Sequence, residues 1–143
     1  MIGVLDYGIG NIGSILNMLK KAGAEAVAVT TGEGVSVCDR LILPGVGAFD
    51  QGMALLEKSG MRGALDEAVA SGKPILGICL GMQMLGLHSE EGHSAGLGYL
   101  PFSMRRFHLE DHPELKVPHM GWDRVEIMQP EASLVQGLEQ PAR

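Results

Sequence analysis

Four short apolar runs set the strongest limit on how this chain can fold: IGVL (Ile2 to Leu5), AVAV (Ala26 to Val29), LIL (Leu41 to Leu43) and PILGI (Pro74 to Ile78). None is long enough for a core helix, and none alternates with polar residues as a half-exposed strand does, so each reads as a buried strand. Helical patterns lie between them. Ile12, Ile15, Leu16 and Leu19 recur at i, i+3, i+4 and i+7, with Lys20 and Lys21 in the last turn, Gly23 as the stop and Asn11 or a neighbour near the N-cap. The polar stretch TTGEGVSVCD separates the second strand from the third. Met53, Leu56, Leu65, Ala68 and Val69 supply a second helical region, broken near Gly60 and closed by Gly72, and the spacing predicts a further helix over Leu80 to Leu87. Strands and helices alternating in this order imply an α/β fold, a doubly wound, mostly parallel sheet covered on both faces.

From about Glu90 the chain becomes richer in glycine, proline and histidine, and only weak alternation remains in Ser103 to Phe107 and Asp123 to Met128. These segments read as short antiparallel strands appended to the sheet. The closing LVQGLEQPAR carries no strong signal, so the sheet is expected to be incomplete at its C-terminus. The 143 residues suit a single domain, 1–143, with one core.

Composition excludes several classes of function. A formal charge of -6 gives no basic surface for nucleic acid, and Arg105-Arg106 is too short to form a patch. No apolar run approaches the roughly 20 residues needed to cross a bilayer. The N-terminus has neither a basic leader nor a cleavage site. A cytoplasmic protein with no membrane and no nucleic-acid partner is the expectation. Cys38 and Cys79 alone make no disulfide framework and no zinc pattern, so no metal or cofactor is expected.

Chemistry concentrates in GICLGMQ, Gly77 to Gln83. Gly77-x-Cys79-x-Gly81 at a strand-to-helix junction is a nucleophile elbow, in which glycines leave room for a sharp turn that exposes the nucleophile. A helix N-terminus also favours a thiolate over a thiol. The amide of Leu80 points where an oxyanion would form. A second donor would come from LPGVGAF, Leu43 to Phe49, where Gly45 and Gly47 let the backbone approach a substrate. The plain alternatives are a tight turn for that loop and a buried structural thiol for Cys79. Cys38, with no adjacent glycine, reads as a buried thiol.

GICLGMQ, LPGVGAF, DYGIGN and KVPHMGW (Lys116 to Trp122) together resemble the glutaminase subunits of imidazole glycerol phosphate synthase, which are class I glutamine amidotransferases with a flavodoxin-like fold. The elbow motif alone would fix only the superfamily; PGVGAF with VPHMGW narrows it to these subunits. The resemblance implies that Cys79 attacks the side-chain amide of glutamine, releasing ammonia and leaving a thioester that water hydrolyses to glutamate. It implies an oxyanion site at Gly45, Val46, Gly47 and Leu80, and contacts to glutamine from Gly47 and Gln83. Ammonia would pass to a (β/α)8 cyclase subunit in histidine biosynthesis. Asn11, Pro118, His119, Met120 and Trp122 would face that partner, although a lone tryptophan is also a common core anchor.

Amidotransferases of this class use a histidine oriented by a glutamate in an F-H-P-E motif on a late strand. His112-Pro113-Glu114 matches the letters, but it follows Leu109-Glu110-Asp111 instead of a buried strand and precedes the PHMGW segment. Nothing apolar would hold that imidazole within the roughly 3 Å a general base needs. His88, His93 and His108 lie in polar stretches and read as solvated or structural. No histidine follows Trp122. The chain is therefore expected to be C-terminally truncated and inactive as it stands. The alternative reading is a catalytically incompetent fragment or interaction protein that docks on the cyclase. A hydrolase-like thioesterase would need an acid and then a late histidine, an order this sequence lacks.

Overall fold

The computed structural model describes residues 1–110, 114, 116–118 and 121–138. It falls into two compact units, Met1–Arg106 and Phe107–Arg143. Among the described residues the first contains all of the helices and strands, in the order β1 (Ile2–Leu5), α1 (Ile12–Lys21), β2 (Ala26–Val29), α2 (Gly32–Val37), β3 (Arg40–Gly45), α3 (Phe49–Lys58), α4 (Arg62–Ala70), β4 (Ile75–Cys79) and α5 (Leu80–Met84). All four apolar runs are strands. They pair in parallel in the order β2-β1-β3-β4, so the chain reverses its winding between β1 and β3. In open α/β sheets the crevice beyond the carboxyl ends at such a reversal is where ligands bind.

Register assigns the side chains to two faces. Leu5, Val29, Leu41 and Leu43 point to one face, where Val35 of α2, Phe49, Met53 and Leu56 of α3, Leu65 and Ala68 of α4, and Leu80 and Met84 of α5 complete the main core. Phe49 is fully buried at the centre of this cluster; burying a side chain of that size contributes about 1.5–3 kcal/mol. The opposite face carries Val4, Ile42, Leu76 and Ile78, and α1 packs there against β1 and β2. Among the described residues of this unit, no helix covers that face over β4, where Leu76 and Ile78 are each 38% exposed.

Three segments differ from the sequence reading. TTGEGVSVCD contains α2, although glycine-rich GEGVSV has low helix propensity. Thr31 caps it by accepting from the Gly34 amide, Val35 is buried in the core, and Lys73 Nζ donates to the Val35 and Ser36 carbonyls at its end. The helix after Cys79 stops at Met84 instead of Leu87. Beyond it the chain turns away, and the Leu87 amide donates to the Phe102 carbonyl. The expected antiparallel strands do not form: among the described residues, Ser103 to Phe107 contributes an isolated parallel bridge, from Met104 to Ser89, and Asp123 to Met128 an isolated bridge position at Val125 and no strand. No helix among the described residues is long and apolar enough to cross a membrane.

Candidate active site

β4 carries Cys79 to the carboxyl edge of the sheet, and the chain turns there directly into α5. Cys79 makes the turn itself. Its φ of 55° and ψ of -119° are unique among non-glycine residues described, all others having negative φ. Such a conformation costs a residue with a Cβ about 1–3 kcal/mol and persists where its surroundings over-determine it. Here the surroundings are closely apposed backbone. A methyl group added at Gly77 would lie 2.7 Å from the Met82 amide nitrogen, and one at Gly81 would collide with the Leu43 carbonyl. The two glycines let α5 press against its own strand and against β3. The Cys79 side chain is left exposed.

In the sheet register, Gly45 stands beside Cys79. A methyl group at Gly45 would sit 2.8 Å from the Gly81 amide nitrogen and 2.9 Å from Leu80 Cβ. The main chain of β3 therefore meets the first turn of α5 with no side chain between them. Val46 and Gly47 follow on the exposed rim, Gly47 with φ of 103°. The tight-turn reading holds for Gly47, and the loop also borders the elbow. Leu80 is buried against α3, while its amide belongs to a first helical turn whose N–H groups have no acceptor in their own helix. Gln83 is half-buried on the same helix. Five of the residues singled out from sequence, Gly45, Val46, Gly47, Cys79 and Leu80, thus form one cluster, with Gln83 one turn further along α5. Cys38 is buried, with its sulfur packed against Gly3 of β1.

Two residues near this cluster escape the sequence reading. Tyr7, in the loop after β1, is buried and donates its hydroxyl to the Pro44 carbonyl at 2.6 Å, with Met84 Sδ at 3.5 Å. Burial pushes its phenol up to about 12. It lies under the Gly45 turn: a methyl group on Gly45 would be 3.0 Å from its oxygen. Asp50, in the first turn of α3, accepts from the backbone amides of His93, at 3.0 Å to each oxygen, and Ser94, at 2.8 Å. These bonds hold its carboxyl below the ordinary carboxylate range. The sequence offers a faint signal for each, since a buried tyrosine hydroxyl needs an acceptor and an acid in a first helical turn seeks amides.

The remaining candidates lie elsewhere. Asn11 caps α1 by accepting from the Ser14 amide. His88 Nδ1 is 2.9 Å from Ser103 Oγ, a structural contact. His93 is exposed, and in the second unit the exposed His108 lies 3.7 Å from Glu110. Pro118 is exposed in that unit, and Trp122 is 93% exposed, so the core-anchor reading does not hold for it. His112, Pro113, His119 and Met120 lie outside the described residues.

Comparison with known proteins agrees with this geometry. Residues 4–108 match the family described as the CobB/CobQ-like glutamine amidotransferase domain. The chain is 50% identical over 144 residues to imidazole glycerol phosphate synthase subunit HisH 2 of Pseudomonas aeruginosa, covering 100% of this chain and 70% of that protein. It is 45% identical to the HisH subunit of Cyanothece sp., covering 97% of this chain and 65% of the relative. The HisH subunit of Synechococcus elongatus is also 45% identical, with 96% and 62% covered. The chain thus spans 62 to 70% of the length of these relatives. A crystal structure of a glutamine amidotransferase superposes with a TM-score of 0.62 at 26% identity, covering 73% of this chain and 56% of the other. The amidotransferase match begins within β1 and takes in β2, β3, β4 and the elbow, and the HisH similarity continues through the PHMGW segment. The chain belongs to the glutamine amidotransferase family, among the HisH subunits of imidazole glycerol phosphate synthase.

Proposed function

We propose that this chain supplies the glutamine-hydrolysing half of an imidazole glycerol phosphate synthase, with Cys79 as nucleophile. The observation that carries the reading is the elbow, an exposed thiol at φ 55° in register with Gly45. The Cys79 thiolate attacks the side-chain amide carbon of glutamine, and the carbonyl oxygen becomes an oxyanion. Leu80 and the Gly45-Val46-Gly47 loop supply amide donors to it; removing one such donor typically costs about 10²–10³ in rate. As the carbon–nitrogen bond breaks, the nitrogen takes up a proton from solvent and leaves as ammonia. Water then cleaves the thioester to glutamate and restores the thiol. Gly47 and Gln83 contact the bound glutamine. His88, occupied by Ser103, is not assigned as the base.

The test is selective labelling. The glutamine-mimicking electrophile 6-diazo-5-oxo-L-norleucine should modify Cys79 saturably and spare buried Cys38, as read by peptide mapping. Equal modification of both cysteines, or of Cys38 alone, would overturn the assignment.

The ammonia is delivered to a (β/α)8 cyclase subunit, in keeping with the synthase-subunit names of the relatives. Asn11, Pro118, His119, Met120 and Trp122 are proposed to meet that partner. Trp122, with almost its whole indole in solvent, suits an interface anchor, a role in which tryptophan often dominates binding energy. Trp122→Ala should weaken capture of the cyclase by at least about fivefold, roughly 1 kcal/mol. Unchanged capture by a folded variant would remove Trp122 from the interface.

A further inference from the structure

The chain that leaves α5 returns to the start of α3, and one carboxylate holds it there. After Met84 the backbone turns back, bridging His88 to Ala95 and Ser89 to Met104, and the turn Ser89 to Ser94 reaches the first turn of α3. Asp50 lies in the first turn of that helix, three residues after Gly47, so the contact follows directly on the Gly45–Gly47 loop. It receives both the His93 and the Ser94 amides, across more than forty residues of sequence. Gly92 makes the approach possible, since a methyl group there would overlap the Asp50 carboxylate. Ser89 braces the turn from inside, nearly fully buried, with its Oγ accepting from the Glu91 amide and its carbonyl from Gly92. Glu90 accepts from the Arg106 amide and ties the outer side of the turn to the following segment. Each of these contacts fixes the same short stretch.

We infer that Asp50 is a positioning residue for glutamine binding, latching the Ser89–Ser94 turn to the start of α3 so that it forms one wall of the crevice beside Cys79. This inference rests on the glutaminase reading given above. Cys79 is held by β4, α5 and the glycines around it, none of which depends on Asp50. Loss of the latch should therefore weaken recognition of a glutamine-shaped molecule and leave the reactivity of the thiol nearly unchanged.

The test separates those two quantities in the full 143-residue chain. Inactivation by 6-diazo-5-oxo-L-norleucine is resolved into its half-saturation concentration and maximal rate, and alkylation by iodoacetamide, which needs no substrate recognition, is measured beside it. Asp50→Ala should raise the half-saturation concentration by at least about fivefold, with the maximal rate and the iodoacetamide rate changed less than about twofold. Asp50→Asn keeps one accepting oxygen and should fall between the parent and Asp50→Ala. Gly92→Ala attacks the same contact from its other side and should reproduce the effect if an Asp50 variant does not fold. A folded Asp50→Ala or Gly92→Ala variant with unchanged half-saturation would overturn the positioning role alone. Failure of the parent chain to be labelled saturably at Cys79 would overturn the glutaminase reading and this inference with it.

Discussion

Cys79 holds φ 55° and ψ -119° in a place where glycine would meet no Cβ penalty, and that difference can be measured. At an ordinary position glycine is less stable than alanine by about 0.5–1 kcal/mol, because the unfolded chain has more freedom to lose. At Cys79 the order should reverse, since alanine retains a Cβ in a conformation costing about 1–3 kcal/mol. Cys79→Gly is therefore expected to be more stable than Cys79→Ala by about 1 kcal/mol, which for a unit of this size corresponds to roughly 4–8 °C in Tm. Thermal unfolding of the two variants decides it. Equal stability, or the usual preference for alanine, would mean that the elbow stores no strain. The elbow is also where the sequence was most readable. Paired glycines around a cysteine announce a turn that only close backbone packing explains, and Gly77, Gly81 and Gly45 each meet such packing. Asp50 was not readable in the same way. Its partners are backbone amides forty-three and forty-four residues away, and no residue type advertises a main-chain donor.

At the scale of elements, the loop after β1 and the end of β3 are joined by the Tyr7 hydroxyl donating to the Pro44 carbonyl. Because β3 then runs into the Gly45 turn, this bond sets the height of the loop beside Cys79. Tyr7→Phe leaves a buried carbonyl without that donor, which typically costs about 1–3 kcal/mol. Titration supplies a second signature. Burial raises the Tyr7 phenol from 10.0 to about 12, so the unfolded chain ionises first as pH rises. Its contribution to stability is whole below pH 10.0 and is lost progressively toward pH 12. Denaturant titrations across that window should show a fall in stability that is shallower in Tyr7→Phe. Tyr99 contributes to the same fall in both proteins, its phenol raised by burial and by its bond to Asp66. An identical slope in parent and variant would remove Tyr7 from the account. Elements defined by their own pattern were legible: the four strands, α1 with its Asn11 cap, and the break at Gly60 all follow from periodicity and turn residues. α2 was not, because its stability comes from Val35 in the core and Lys73 at its end, contacts that no local pattern reveals. The weak alternation of Ser103 to Phe107 failed for the converse reason: alternation makes a strand only where a neighbouring strand is in register, and Met104 finds just one bridge partner.

For the molecule as a whole, the sheet is covered unevenly. One face is closed by α2, α3, α4 and α5, whereas on the other α1 packs over β1 and β2 and stops short of β4. Leu76 and Ile78, neighbours of Ile42 and Pro44 in the β3–β4 register, are left partly in solvent on the last strand of the order β2-β1-β3-β4. An edge strand bearing exposed apolar residues invites pairing with another chain, and natural sheets commonly blunt such edges with lysine. The net charge of -6 opposes association in general, but within a few ångströms of an edge the main-chain hydrogen bonds and apolar contact are the stronger terms at ordinary ionic strength. Self-association of the chain is thus expected to rise with concentration and to involve β4. Leu76→Lys places a cation on that edge, three residues from Cys79 and on the opposite face of the sheet from it. Sedimentation or light scattering should show less association in Leu76→Lys than in the parent, with labelling of Cys79 by iodoacetamide unchanged. If association persists undiminished while the elbow remains reactive, the contact lies on another surface; if both association and reactivity are lost, the substitution has unfolded the sheet, and Leu76→Thr, which keeps a strand-forming residue while removing most of the apolar surface, separates the two effects.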